Sequence, residues 1–254
     1  STEDAGGHSD RMSHLNMHGV TAPKELTNDL DAVNVTPTQL EIYFSNTCNL
    51  KCLYCNSKFS STIDNENRIH GEWVHGDQKD FGKNLYLPGK VEINPNIEED
   101  TDKLFAWLDE HIHELNKVMI LGGEPFLQKE TERMVELLER MSNPNLTLVV
   151  FSNLTVDPAR VQKWLARMWN LVERGKLNNL QVVGSLDCWG PQAEYVRNGL
   201  DLNKYVNNME FILHNTKITP SINSAMTALT IPTLPDLIVQ LNKWSRVREV
   251  YWSG

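Results

Sequence analysis

The stretch Leu40-Glu41-Ile42-Tyr43-Phe44-Ser45-Asn46-Thr47-Cys48-Asn49-Leu50-Lys51-Cys52-Leu53-Tyr54-Cys55 decides how the rest of the chain is read. Its first part alternates apolar and polar residues and predicts a strand over 39–45. Its second part places three thiols on one loop, just beyond that strand's C-terminal end. In parallel α/β sheets, sites are built at that end. A structural zinc site takes four ligands in two paired sets. No second cysteine pair or paired Cys/His follows in this sequence. Iron–sulfur clusters also take thiolates, usually four. Three cysteines would leave one iron open, and an open metal position is where chemistry happens.

Outward from the loop, the chain alternates strand and helix patterns. Leu104, Leu108, Ile112 and Leu115 recur at helical spacing, and Val118 to Leu121 is a short apolar strand. Met134, Leu137, Leu138 and Met141 mark the next helix, which Asn143-Pro144 is expected to end. Leu146 to Phe151 is continuously apolar, as in a strand buried on both faces. Asp157-Pro158 opens a helix with a cap and a first-turn proline, and Gly175 closes it. Leu180 to Ser185 and Ile218 to Ser224 read as further strands, and helices fall at about 202–213 and around Leu237, Leu241 and Trp244. Val247 is read as the start of a sixth strand. Repeated strand–helix units imply an α/β fold with a parallel sheet and right-handed crossovers.

The cysteine loop resembles the signature of the radical S-adenosylmethionine (radical SAM) superfamily: Cys-x3-Cys-x2-Cys with an aromatic, here Tyr54, before the third cysteine. The resemblance implies a partial (βα)6 TIM-like barrel over 38–254, truncated at strand six. It implies that Cys48, Cys52 and Cys55 hold a 4Fe-4S cluster whose open iron takes S-adenosylmethionine (SAM). A reduced cluster would then cleave SAM to a deoxyadenosyl radical that abstracts hydrogen from substrate. An electron donor such as flavodoxin or ferredoxin is the implied partner. The bland alternative is a reduced, non-ligating cysteine cluster.

Other residues join this reading through the same resemblance. Gly122-Gly123-Glu124-Pro125 follows a strand directly, and glycines there let a ligand approach the backbone. The segment is similar to the family's Gly-Gly-Glu motif, whose backbone meets the amino group of SAM. Ser152 and Asn153, then Ser185 and Asp187, end the next two strands and are similar to positions that hold the SAM ribose and carboxylate. The alternative for each is a cap or turn residue. Arg197 resembles an arginine of peptide-modifying members that pairs with the SAM carboxylate; the alternative is a solvated surface arginine. Cys188, where family members often carry glycine, is a minor candidate for radical chemistry and more commonly a small buried thiol. These features lean toward the twitch/SPASM-like branch acting on a peptide or protein, with small-molecule substrates next. A non-enzymatic iron–sulfur or redox-sensing module is the competing class.

Composition bounds the rest. The 254 residues are 40% hydrophobic and 22% charged, enough to bury a real core. The net charge of −9 disfavours a broad nucleic-acid face. No apolar run is long enough to span a membrane. Four cysteines, three in one tight loop, point to a reducing, cytoplasmic compartment. Residues 1–37 read as a polar N-terminal extension. Their Glu3 to Arg11 part is similar to the tail of an accessory cysteine-bearing cluster region, or is an ordinary leader. Residues 56–97 read as a long structureless insertion that covers the site or contacts substrate, or else as a surface excursion. The Ser1 start and the strand begun at Val247 suggest a piece of a longer chain.

Overall fold

The computed structural model describes residues 37–71 and 96–253. The expected extension over 1–37 therefore lies almost wholly outside the described residues, as do residues 72–95 of the expected insertion. In chain order the elements are β1 (Gln39–Tyr43), β2 (Lys51–Cys52), α1 (Ser61–His70), α2 (Ile97–His111), β3 (Lys117–Leu121), α3 (Lys129–Arg140), β4 (Asn143–Ser152) and α4 (Pro158–Glu173). There follow β5 (Leu177–Ser185), α5 (Pro191–Val196), β6 (Arg197–Asn198), α6 (Leu202–Asn215), β7 (Thr219–Asn223), α7 (Leu234–Ser245) and β8 (Tyr251–Ser253).

Six strands form one sheet in the order β1-β3-β4-β5-β7-β8, every neighbouring pair parallel. Sequence order and spatial order agree, each parallel neighbour being reached by a crossover connection. The sheet is open, with β1 and β8 at its edges, so the architecture is a partial rather than a closed barrel. The central strands carry the core. Leu148, Val149 and Val150 of β4 and Val182 and Val183 of β5 are buried, because a sheet covered on both faces leaves no polar side to its middle strands. Met134, Leu137 and Leu138 of α3 and Val161, Leu165 and Met168 of α4 supply the facing helical stripes. Caps follow the sequence: the Asp157 side chain accepts from Arg160 N at 3.2 Å, and Gly175 ends α4 at φ 66°.

Two expectations are corrected. The stretch read as structureless over 56–97 holds α1, and α2 begins at Ile97. The buried residues of α1 are Asp64 and Asn67, so the helix buries a polar face and shows no apolar periodicity. Asn143 does not stop a helix; it begins β4. Its side chain donates to Ile112 O and Leu115 O, each at 2.7 Å, and so closes the turn before β3.

Candidate cofactor site

The loop after β1 is fixed at two ends by different partners. At its start, the Cys48 N–H donates to Ser61 Oγ at 3.1 Å, and the Cys48 carbonyl accepts from Thr62 Oγ1 at 2.6 Å and Ser61 Oγ at 3.3 Å. Ser60 caps α1 through Ile63 N and donates to Leu50 O at 2.6 Å. The first turn of α1 is thus a clamp on Cys48. At its far end, Cys52 pairs antiparallel with Arg197, as β2 meets β6, and Leu53 N donates to Val196 O at 2.9 Å. Sequence reading missed this clamp, although Ser60 is of the residue type that caps a helix start.

All three thiols are free and half-buried. Burial pushes Cys48 and Cys52 up to about 11 and raises Cys55 as well. The metal-free loop is therefore protonated at neutral pH, and any metal it takes must displace protons. Among the described residues no three His, Cys, Asp or Glu side chains close on a single ion. The thiols instead share the lining of one cavity of about 390 Å³. Thiolates are the ligands that iron–sulfur clusters take, so the donor set is chemically suited to one. Leu50 N–H points at Cys48 Sγ at 3.4 Å, a donor that favours a thiolate there.

Gly122 and Gly123 follow β3 at φ 79° and 53°, a left-handed backbone that costs other residues about 1–2 kcal/mol. A Cβ on Gly122 would stand 2.7 Å from Tyr43 Cδ1, and one on Gly123 would stand 2.3 Å from Thr47 O. The close approach that makes glycine necessary is thus to β1 and the cysteine loop itself. Glu124 N donates to Thr47 O at 2.7 Å, which ties the two rims together. The Glu124 side chain is 0% exposed. Its Oε1 accepts from Ser152 Oγ at 2.8 Å and Phe126 N at 3.2 Å, and its Oε2 accepts from Asn153 N at 2.7 Å. Burial pushes its carboxyl up to about 7 despite these donors.

Asp187 is also 0% exposed, but its partners differ. Arg197 Nε donates to Oδ2 at 2.9 Å and Nη2 to Oδ1 at 2.7 Å. Tyr54 Oη donates to Oδ2 at 2.5 Å, and Ala225 N to Oδ1 at 2.8 Å. Burial above all raises the Tyr54 phenol, which stays protonated and donates. The guanidinium carbon lies 5.5 Å from the Tyr54 ring centre.

The cavity brings together Cys48, Cys52, Cys55, Tyr54, Gly122, Gly123, Ser152, Asn153, Ser185 and Arg197 from the sequence reading. Tyr43, Phe59, Leu121 and Phe151 add apolar walls that the sequence reading did not single out. Glu124, Pro125, Asp187 and Cys188 are not among the lining residues. Pro125 is buried at the start of a 3-10 turn, Pro125–Leu127. Cys188, a minor candidate for radical chemistry and more commonly a small buried thiol, is fully buried in the apolar core, where its small size suits the packing. Arg197, expected at the surface or on a carboxylate of SAM, is buried and already holds Asp187.

Known proteins bear on this geometry. The family model described as the radical SAM superfamily matches residues 42–182, more than half of the chain. Among solved structures, the chain is similar to Streptococcus suis SuiB bound to S-adenosylmethionine. The identity is 15% and the TM-score 0.52, over 96% of this chain and 47% of that one. It is also similar to TYW1 with a lysine-pyruvate adduct bound, at 13% identity and a TM-score of 0.40, over 97% of this chain and 82% of that one. The chain thus spans about half the length of the SuiB chain. No curated protein sequence matches it.

Proposed function

Since this chain belongs to the radical SAM superfamily, we propose that it is an enzyme whose Cys48, Cys52 and Cys55 hold a 4Fe-4S cluster facing bound SAM. One observation carries the reading: three free thiols and the Gly122-Gly123 backbone line the same cavity at the end of β1 and β3. When bound, cluster and SAM supply a one-electron cleavage of the sulfonium and a deoxyadenosyl radical that takes hydrogen from substrate.

The chain's own residues bind, orient and exclude water. Gly122 and Gly123 offer backbone without side chains, and Ser152, Asn153 and Ser185 offer polar groups at the ends of β4 and β5. Tyr43, Phe59, Leu121 and Phe151 form the apolar part of the cavity wall. Tyr54 and Arg197 border the same space. Glu124 and Asp187 act behind the wall, holding the residues that face it. Within this reading the substrate is a peptide or protein, as in the twitch/SPASM-like branch, with a small molecule second. The catalytic core spans 38–254, residues 1–37 are the tail of an accessory cluster region, and a flavodoxin or ferredoxin delivers the electron in the cytoplasm. Among the described residues no helix is long and apolar enough to cross a membrane.

The test is anaerobic iron–sulfur reconstitution followed by reduction with SAM present, with 5′-deoxyadenosine as the product measured. Wild type and Cys188→Ala are expected to form it. Cys48→Ala, Cys52→Ala and Cys55→Ala are expected to lose both the cluster absorbance and the product. A triple cysteine variant with full iron content would sink the reading. A cluster that forms but never cleaves SAM would favour the non-enzymatic alternative.

A further inference from the structure

Asp187 gathers donors from three separate parts of the chain. Tyr54 comes from the turn between the second and third cysteines, Arg197 from β6, and Ala225 from the turn after β7. Arg197 is at the same time the strand partner of Cys52. One buried carboxylate therefore meets both the side chain beside Cys55 and the residue whose backbone pairs with Cys52. Cys48 is held by other groups: its amide and carbonyl by Ser61 and Thr62, and its Sγ by the side chain of Asn153, whose N–H donates to Glu124.

We propose that Asp187 is the positioning residue for the second half of the cysteine loop, fixing Cys52 and Cys55 to the rim of β5 and β7 before any metal arrives. The inference rests on the functional reading only for what the positioned thiols hold. Two anchors set one ligand group: α1 sets Cys48, and the Asp187 knot sets the other two. Because Ala225 is bonded to the same carboxylate, the turn after β7 is mechanically joined to the cysteines. Preset ligands matter because a binding group held in place loses less freedom when its ligand arrives.

The experiment begins with amide hydrogen exchange on the metal-free full chain. Tyr54→Phe removes one hydrogen bond and leaves the Asp187–Arg197 pair in place, so the fold is kept. Exchange over residues 51–56 is expected to rise at least about fivefold, with residues 46–50 and α4 unchanged. Asp187→Asn is expected to release 51–56 and Ala225 together. Thr62→Val is expected to do the reverse, loosening 46–50 alone. Unchanged exchange over 51–56 in Tyr54→Phe overturns the proposal, as does a uniform rise across the sheet. The second readout is the electron paramagnetic resonance spectrum of the reduced, reconstituted protein. At equal iron content, Tyr54→Phe is expected to alter the line shape, and an identical spectrum overturns the positioning role. Should wild type itself take up no cluster, the functional reading falls, and the exchange result alone decides this proposal.

Discussion

Glu124 and Asp187 are two carboxylates at two strand ends of one rim, each wholly buried, and they are neutralised in opposite ways. Glu124 meets only uncharged donors, Ser152 Oγ and the amides of Phe126 and Asn153. Asp187 meets a guanidinium in bidentate contact, with a phenol and an amide added. The first is a group that can keep its proton; the second is half of an ion pair. Both connect to the cysteine loop, by different routes. Glu124 reaches it through its own amide and Thr47 O, and through Asn153, whose N–H it accepts and whose side chain donates to Asn49 Oδ1. Asp187 reaches it by side chain, through Tyr54. Position in the fold thus does not fix the electrostatics of a rim carboxylate; the neighbours do.

The largest effect that would break this comparison comes from deleting the cation. Arg197→Ala leaves the Asp187 carboxylate buried without its charge partner, which costs about 3–5 kcal/mol. Chemical denaturation of the metal-free chain would read it. A loss below about 1 kcal/mol would mean that Asp187 is held by neutral donors, as Glu124 is.

The next effect is one of pH. Burial holds the folded-state carboxyl of Glu124 at about 7 against its ordinary 4.5, so the native state binds this proton more tightly than the unfolded chain. Its contribution is fully present below about pH 4.5 and is lost as pH rises through about 7. The shift bounds that loss at about 3 kcal/mol. Glu124→Gln cannot titrate and places an amide N–H against a neighbouring donor. It is expected to be less stable than wild type near pH 5 by about 1–2 kcal/mol, with the gap closing toward pH 8. Parallel stability curves for the two proteins would show that Glu124 does not titrate in this window.

A further test is of the backbone route. Gly123→Ala incurs about 1–2 kcal/mol for its left-handed φ, and its Cβ also pushes on Thr47 O, next to Cys48. Iron uptake and SAM binding are therefore expected to fall together. Weakened SAM binding at full iron content would show that the turn touches only the cofactor.

The same two carboxylates mark how far the sequence could be read. The alternation of apolar runs, the Asp157-Pro158 helix start and the Gly175 stop are local signals, and the sheet follows from them. Two glycines after a strand likewise predict a close approach. What approaches could not be read, and it includes Tyr43 and Thr47 of the chain itself. Asp187 and Arg197 were each legible as a polar group at the rim of a barrel. Their mutual pairing was not, because residue type says nothing of which partner a side chain meets first. Helix α1 was missed for a related reason: its buried face carries Asp64 and Asn67, and polar burial leaves no hydrophobic period to detect.

The register of the sheet has a consequence in time. Gln39 of β1 pairs with Lys117, 78 positions later. The other neighbours join Lys117 to Thr147, Leu148 to Leu180, Gln181 to Thr219 and Ser221 to Tyr251, all 30–38 positions apart. The longer closure costs only about 0.8 kcal/mol more in chain entropy, yet it delays the strand that leads into the thiols. During synthesis at roughly 5–20 residues per second, β1 waits about 4–16 s for its partner to emerge. The cysteines emerge 9–16 residues after Gln39 and spend the rest of that interval with no rim to sit on, so a cluster of the proposed kind would be loaded after the sheet has docked rather than on the nascent chain.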